Sequence, residues 1–112
     1  MNKRMDEQEL MEKIKKGDEA AFSELMIMYK DRVVNFLYQF TGDYQVAVDL
    51  SQETFLRVFF KAKKYRPIAP VSSWIYAIAA NLARTERKKI SKKAAISIDE
   101  ITNSYSAGSY SL

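Results

Sequence analysis

The chain lacks, or is poor in, the residue types that build most catalytic and nucleotide-binding sites. It has no cysteine and no histidine, which excludes disulfides, thiolate nucleophiles, imidazole catalysis and zinc held by those side chains. Only three glycines are present, and none belongs to a G-x-G-x-x-G or G-K-[ST] phosphate-binding pattern. We therefore predict that the chain is not an enzyme and uses no cofactor or metal.

Long apolar segments are missing as well. No run approaches the ~20 apolar residues that a membrane-spanning helix needs, and residues 1–6 are not followed by the apolar segment of a signal peptide. The chain has 112 residues, of which 47% are hydrophobic and 29% charged. These values are typical of one soluble domain with a tail. We predict a cytoplasmic protein.

The charge of the chain is unevenly distributed. Residues 1–56 carry 7 basic and 11 acidic side chains, whereas residues 57–93 carry 11 basic side chains and one acidic side chain, a net charge of +10. A basic segment of this kind favours a surface that binds nucleic acid or another polyanion. A lysine-rich solvated surface is the alternative. The acidic first half favours a protein partner.

Apolar residues recur at helical spacing through the first half of the chain. The pattern predicts helices over 6–16, 19–40 and 44–63. Glycine–aspartate pairs at 17–18 and 42–43 have the residue types that end one helix and cap the next. The third predicted helix is apolar on two sides, which indicates either a central position or a second side offered to a partner.

The second half of the sequence predicts a loop, one more helix and a tail. Pro67 and Pro70 end the third helix and stiffen the loop, and Ser72 or Ser73 is expected to cap the last helix. The inward side chains of that helix are Trp74, Ile75, Ile78, Ala79 and Leu82. Apolar periodicity then fades, so we predict a helical domain over 1–93 and a poorly ordered linker over 94–112. The fold class is all-α, a compact bundle of about four helices.

Polar residues of the third helix form the first candidate site. Asp49, Gln52 and Glu53 share one side because they are three and four residues apart, and Arg57 can pair with Glu53. A solvated charge ladder would explain the same pattern. The phenylalanines nearby favour a docking surface instead, with aromatic anchors inside a charged rim. The nearby apolar residues are Val48, Phe55 and Phe59.

The basic loop and the last helix form the second candidate site. Lysines and arginines alternate with aromatic residues there, a pattern that suits single-stranded nucleic acid, because cations follow the phosphates and rings stack on bases. Asn81 could read a base edge through its amide. The alternative is that the aromatics only pack in the core. The candidate DNA-binding residues are Lys63, Lys64, Tyr65, Arg66, Ser73, Trp74, Tyr76, Asn81, Arg84, Arg87, Lys88 and Lys89.

Three motifs follow one another in the chain. They are Gly17-Asp18 with Ala21-Phe22, then Asp49-Leu50-x-Gln52-Glu53-x-Phe55-Leu56-Arg57, then Ser73-Trp74-Ile75-Tyr76-x-Ile78-Ala79-x-Asn81. In residue type, order and spacing they resemble region two of bacterial sigma factors, most of all the small extracytoplasmic-function group. The resemblance covers residues 8–93.

The resemblance implies a function for each candidate site. The third helix would dock on the clamp helices of the largest subunit of core RNA polymerase, with Asp49, Gln52 and Glu53 as polar docking residues. The loop over 63–72 would capture a base flipped from the non-template strand of the minus-ten promoter element. The last helix would open and read that element, with its basic end along the DNA backbone. An anti-sigma factor would be a further partner.

The sequence departs from the family pattern at four positions and in length. Val48, Val71, Ala77 and Thr85 stand where the family usually has an acidic residue, an aromatic residue, Arg and Asp, respectively. We expect these changes to alter the promoter sequence that is recognised more than the activity. The helix-turn-helix domain that reads the minus-thirty-five element in such factors is not expected in this chain.

Two other functions remain open from the sequence. One is a helical repressor that binds duplex DNA without polymerase. The other is a helical adaptor that binds only proteins and has a solvated basic end.

Overall fold

The computed structural model describes the backbone of residues 6–110, and the side chains as far as residue 103. This part of the chain folds into four α-helices and contains no strand. Helix α1 spans Glu7–Lys15, α2 spans Glu19–Thr41, α3 spans Tyr44–Lys61 and α4 spans Val71–Tyr110, with a short 3-10 helix over Ala62–Lys64 between α3 and the loop. The predicted all-α class is confirmed.

The helix junctions follow from the glycine–aspartate pairs. Gly17 and Gly42 have φ angles of 87° and 71°, in the left-handed region that glycine adopts without a steric penalty. The carboxylates of Asp18 and Asp43 then accept backbone N–H groups in the first turns of α2 and α3, at 3.0 and 3.2 Å. Both predicted stop-and-cap junctions are present, and Asp6 caps α1 in the same way.

The core lies between α2, α3 and the first three turns of α4, with α1 closing one side. Every fourth residue of α2 is buried from Ala21 to Leu37, and every fourth residue of α4 from Val71 to Ala83. These spacings place one stripe of each helix against its neighbours. The buried residues of α3 are Ala47, Ser51, Thr54, Phe55 and Val58.

The start of α4 differs from the prediction. The helix begins at Val71, and the amide of Trp74 donates to the carbonyl oxygen of Pro70 at 3.3 Å. Ser72 and Ser73 therefore lie inside the first turn and do not cap it. Pro70 fits just before the first turn because proline has no N–H to leave unpaired.

The end of α4 also differs from the prediction. The helix continues through residues 94–110, for which the sequence predicted a loose linker. No proline or glycine stands between residues 71 and 107, so nothing in the chain interrupts the helix. Residues 87–103 are all exposed. The apolar periodicity fades there because this part of the helix packs against no other helix of the described chain, and not because the helix ends. The chain accordingly extends over 80 × 25 × 22 Å.

Within residues 6–110, no helix is both long enough and apolar enough to cross a membrane.

Candidate functional site

One side of α3 carries a continuous row of exposed and half-buried residues. Asp49, Gln52, Glu53, Leu56 and Phe60 are spaced three, one, three and four residues apart, which places them on a single side of the helix. Leu56 is 52% exposed and Phe60 is 75% exposed. We call these five residues the α3 face. It combines two carboxylates and an amide with two apolar side chains.

The polar groups of the α3 face are only loosely engaged. Gln45 Nε2 donates to Asp49 Oδ1 at 3.1 Å, and Arg57 Nε donates to Glu53 Oε1 at 3.3 Å, with both side chains of that pair more than two-fifths exposed. Exposed pairs on one helix contribute only a few tenths of a kcal/mol. The carboxylates can therefore exchange these contacts for those of a partner at little cost.

Of the three apolar residues predicted as docking anchors, Phe55 and Phe59 lie behind the α3 face, whereas Val48 lies beside it. Phe55 is only 3% exposed, and the ring of Phe59 packs edge-on against Phe22 at 5.1 Å. Val48 lines a groove of about 720 Å³ between α2 and α3, together with Gln52 and Phe55. The anchors available to a partner are Leu56 and Phe60, which the sequence interpretation did not assign to docking.

The basic loop is held in place by Tyr65, whose environment differs from the prediction. Its ring is 3% exposed, so it cannot stack on a base in this conformation. The hydroxyl donates to the carbonyl oxygen of Ala69 at 2.9 Å, and the ring lies 5.3 Å from that of Trp74. Tyr65 therefore shapes the loop and joins it to α4. Lys63, Lys64 and Arg66 are exposed around it.

The tip of the loop presents an apolar side chain that sequence reasoning missed. Ile68 is 86% exposed, more than any other large hydrophobic residue in the part that the structure describes. Its amide donates to the carbonyl oxygen of Arg66 at 2.7 Å, and prolines stand at 67 and 70. The sequence feature that could have indicated this exposure is the position of Ile68 between two prolines. Proline stiffens the backbone, so the loop can hold the side chain in solvent.

Two buried tyrosines lie between α1 and the loop side of the bundle. The hydroxyl of Tyr29 donates to Glu7 Oε1. Burial, reinforced by that carboxylate, raises the pKa of Tyr29 to about 12. Burial also raises the pKa of Tyr65, with smaller contributions from the charges of Glu7, Asp6 and Glu12. Both phenols are therefore neutral at physiological pH.

The outer side of α4 carries exposed polar and basic groups. Ser73, Asn81, Arg84 and Lys88 are exposed at spacings of eight, three and four residues, so they follow one side of the helix. Two half-buried aromatic residues border this side. Trp74 leans on Tyr65 at one edge, and Tyr76 packs edge-on against Phe36 of α2 at 5.2 Å on the other.

The basic groups of α4 are partly ordered by contacts within the chain. Arg84 donates to the amide oxygen of Asn81, which leaves the Asn81 NH₂ group as its free donor. The guanidinium of Arg87 lies 5.0 Å above the Phe40 ring. Arg84, Arg87 and Lys88 line a shallow depression of about 320 Å³, and Lys89 is exposed one position further along. We call Lys63–Arg66, the loop tip and this side of α4 the basic face.

Among the residues that the structure describes, no cluster of three or more His, Cys, Asp and Glu side chains could hold a metal ion.

A family model described as Sigma-70 region 2 matches residues 25–93. The chain belongs to the sigma-70 region 2 family. The matched segment contains the α3 face and the basic face, so every residue predicted from the resemblance to bind polymerase or DNA falls inside it. The assignment to region two of bacterial sigma factors is confirmed.

Two similar curated proteins bear the name of extracytoplasmic-function (ECF) sigma factors. The chain is 33% identical over 81 residues to the ECF RNA polymerase sigma factor SigW of Bacillus subtilis, covering 70% of this chain and 43% of SigW. It is 29% identical over 84 residues to the ECF RNA polymerase sigma-E factor of Escherichia coli K12, covering 75% of this chain and 44% of that factor. This region 2 chain thus spans less than half the length of these relatives.

A solved structure has the same fold. It is the NMR structure of an engineered region 2 of sigmaE in complex with GTAAAA, with a TM-score of 0.75 and 25% sequence identity, covering 83% of this chain and 97% of that one.

Proposed function

We propose that the chain is the part of an alternative sigma factor that docks on core RNA polymerase and recognises and melts the minus-ten promoter element. The observation that carries this proposal is the presence of two chemically different surfaces on one bundle. The α3 face combines carboxylates with exposed apolar anchors, whereas the basic face combines cations with aromatic residues. A factor that bridges polymerase and promoter needs both surfaces.

The α3 face suits a helical protein partner. Leu56 and Phe60 would be the buried anchors of the complex, and Asp49, Gln52 and Glu53 would form the polar rim that fixes orientation. The partner that we propose is the pair of clamp helices in the largest polymerase subunit. Phe55 and Phe59 would contribute by supporting α3 from behind, and Val48 by lining the groove next to Gln52.

The loop suits an unpaired base. Tyr65, through its hydrogen bond to Ala69 and its ring contact with Trp74, would hold the loop open towards a base flipped from the non-template strand. Ile68 at the tip would act as an apolar wedge against a neighbouring base, as aliphatic side chains do when proteins unstack DNA. Arg66, Lys63 and Lys64 would neutralise the phosphates on either side.

The outer side of α4 suits the DNA that leads into the loop. Asn81 would donate its NH₂ group to a base edge, while its oxygen stays with Arg84. Trp74 and Tyr76 would offer their exposed edges to unpaired bases. The basic groups Arg84, Arg87, Lys88 and Lys89 would follow the backbone, and Ser73 would add a hydrogen bond near the start of the helix.

The comparisons support this proposal. The relatives bear the name RNA polymerase sigma factor, and the structural neighbour was solved with the oligonucleotide GTAAAA. We extend the proposal to a cytoplasmic location, to regulation by an anti-sigma factor that covers one or both faces, and to a boundary near residue 93 between the domain and a linker. Polymerase would supply the chemistry, and this chain would catalyse nothing.

A titration of the full chain against purified core RNA polymerase tests the proposal. We expect saturable binding that a known sigma factor displaces and that Glu53→Ala weakens about tenfold. Glu24→Ala is the matched control, because Glu24 is an exposed glutamate of α2 outside both faces, and it should bind normally.

The absence of saturable binding by a folded chain would contradict the proposal. Affinity for duplex DNA would then distinguish the repressor, which binds it tightly without polymerase, from the adaptor, which does not.

A further inference from the structure

The projecting part of α4 carries an apolar stripe that nothing else in the described chain covers. Ile90, Ala94, Ile98 and Ile101 are four, four and three residues apart, so they lie along one side of the helix. The three isoleucines are 54%, 61% and 56% exposed. The stripe continues the line of Ile75, Ala79 and Ala83, which are fully buried against the bundle.

The stripe begins where the bundle ends. Residues 87–103 are all exposed, and among residues 6–103 no helix packs over this length of α4. A helix of ten or more residues with an apolar side and no neighbour is marginal in water. A second helix packed against the stripe would therefore stabilise this part of α4.

Charges beside the stripe identify that second helix. Lys93 and Glu100 are seven residues apart, so both lie on the same flank of the stripe, and the point midway between them falls within the stripe, between residues 96 and 97. In an antiparallel pair of identical helices, equivalent flanks face each other. Lys93 of each chain then meets Glu100 of the other chain, and two ion pairs form across the twofold axis.

A parallel pair would bring like charges together. The two copies of Lys93, which flanks the stripe, would then lie at one level of the interface and the two copies of Glu100 at another, so the two residues could not pair across the chains. In the antiparallel pair, Lys89 of one chain lies beside residue 104 of the other chain. The two Lys89 residues are then about 22 Å apart along the helix axis, because fifteen residues at about 1.5 Å per residue separate positions 89 and 104. The two bundles then lie at opposite ends of the paired segment.

We propose that this chain forms an antiparallel dimer through residues 88–103 of α4. The occupant of the stripe is a second copy of the same chain. The apolar contact comes from the four stripe residues and the register comes from the Lys93–Glu100 pairs. The interface is small, so the dimer is weak and its population depends on protein concentration. The α3 face is not part of the contact.

Sedimentation equilibrium of the full chain tests the dimer directly. We expect the average mass to rise towards that of a dimer between about 5 µM and about 1 mM, a range that brackets the dissociation constant of a small interface. Ile98→Glu should shift the equilibrium to the monomer by at least about tenfold. Ile27→Glu is the matched control, because Ile27 is a 77% exposed isoleucine of α2 away from the stripe, and it should dimerise normally.

Charge exchange tests the antiparallel register. Lys93→Glu and Glu100→Lys should each weaken self-association about tenfold, because each places like charges opposite one another. An equimolar mixture of the two variants should associate again as a heterodimer, at about wild-type strength. A wild-type chain that stays monomeric up to about 1 mM would overturn the proposal, as would reversal variants that still dimerise or a mixture that does not recover. Polymerase binding plays no part in these measurements, so their outcome is independent of the proposed function.

Discussion

The α3 face and the basic face differ in how the chain builds them. All five residues of the α3 face come from 12 consecutive residues of one helix, and their side chains take little part in the core. The basic face draws on a 3-10 helix, a loop and a long helix. Its aromatic and basic groups are tied to the bundle through Tyr65–Trp74, Tyr76–Phe36 and Arg87–Phe40 contacts. The first face can therefore vary without affecting the fold, whereas the second is coupled to packing.

The largest expected effect separates the phenylalanines behind the α3 face from those on it. Phe55→Ala should lower the free energy of unfolding by about 3–5 kcal/mol, because it removes a buried ring and leaves a cavity. Phe60→Ala should change it by less than about 0.5 kcal/mol, because that ring is largely exposed. Urea unfolding followed by circular dichroism measures both values.

The same pair sharpens the assignment of the docking anchors. Phe60→Ala should weaken binding to core polymerase about tenfold, although the variant is as stable as the wild type. Unchanged polymerase affinity in Phe60→Ala would remove Phe60 from the docking surface.

Alkaline pH should weaken the packing beneath the loop side of the bundle. The pKa of Tyr29 is raised to about 12 from about 10 in the unfolded chain. The unfolded chain therefore loses this proton first, and the stability that the neutral phenol contributes is present below pH 10 and lost as pH rises towards 12. We expect a loss of about 2–3 kcal/mol over that interval.

Unfolding experiments at a series of pH values would measure this loss. Tyr29→Phe should reduce the pH dependence, since the variant has no phenol at that position to ionise, and the part that remains should include the contribution of Tyr65, whose pKa is also raised. Tyr38→Phe is the control, because Tyr38 is a tyrosine of the same helix that is 47% exposed. An equally steep pH dependence in Tyr29→Phe would show that another group is responsible.

The loop tip should contribute to DNA opening and not to polymerase binding. Ile68→Ser should reduce promoter opening by about tenfold, because it removes the apolar wedge, while Ile68→Leu should keep most of the activity. Fluorescence of a base analogue placed in the minus-ten element measures opening. If the serine variant opened DNA normally, Ile68 would not act as a wedge in DNA opening.

The smallest expected effect concerns the basic end of α4. Lys88→Ala should weaken binding to single-stranded DNA about two- to threefold for all sequences and reduce the slope of log affinity against log salt by about one. Lys30→Ala, on the exposed side of α2, should change neither. Fluorescence anisotropy at several salt concentrations provides the measurement. A loss confined to one DNA sequence would contradict a backbone contact at Lys88.

The sequence predicted most of the helices because their signals are local. Apolar spacing and the two glycine–aspartate pairs are read from neighbouring residues, and the observed junctions agree with them. The row formed by Asp49, Gln52 and Glu53 followed from helical spacing in the same way.

Features that depend on distant contacts could not be predicted. Phe59 and Phe60 are equally apolar, and the orientation of α3 against α2 places Phe59 on Phe22 and leaves Phe60 in solvent. Burial of Tyr65 depends on Trp74 and on Lys15 of α1, whose ammonium lies 5.6 Å from the Tyr65 ring centre. The length of α4 was underestimated because apolar periodicity reports burial, and this part of the helix has no neighbour within the described chain to bury it.

The separation of the two faces is the central claim, and a three-component binding experiment tests it most directly. A labelled single strand of minus-ten sequence is bound to the full chain, and core RNA polymerase is then added to saturation. Core polymerase without the chain, and with the Asn81→Ala variant, are the controls for DNA bound by polymerase itself. We predict that the strand stays bound with equal or higher affinity, because polymerase covers the α3 face and leaves the basic face free. Displacement of the strand by polymerase would contradict the account, since it would mean that both partners use the same surface.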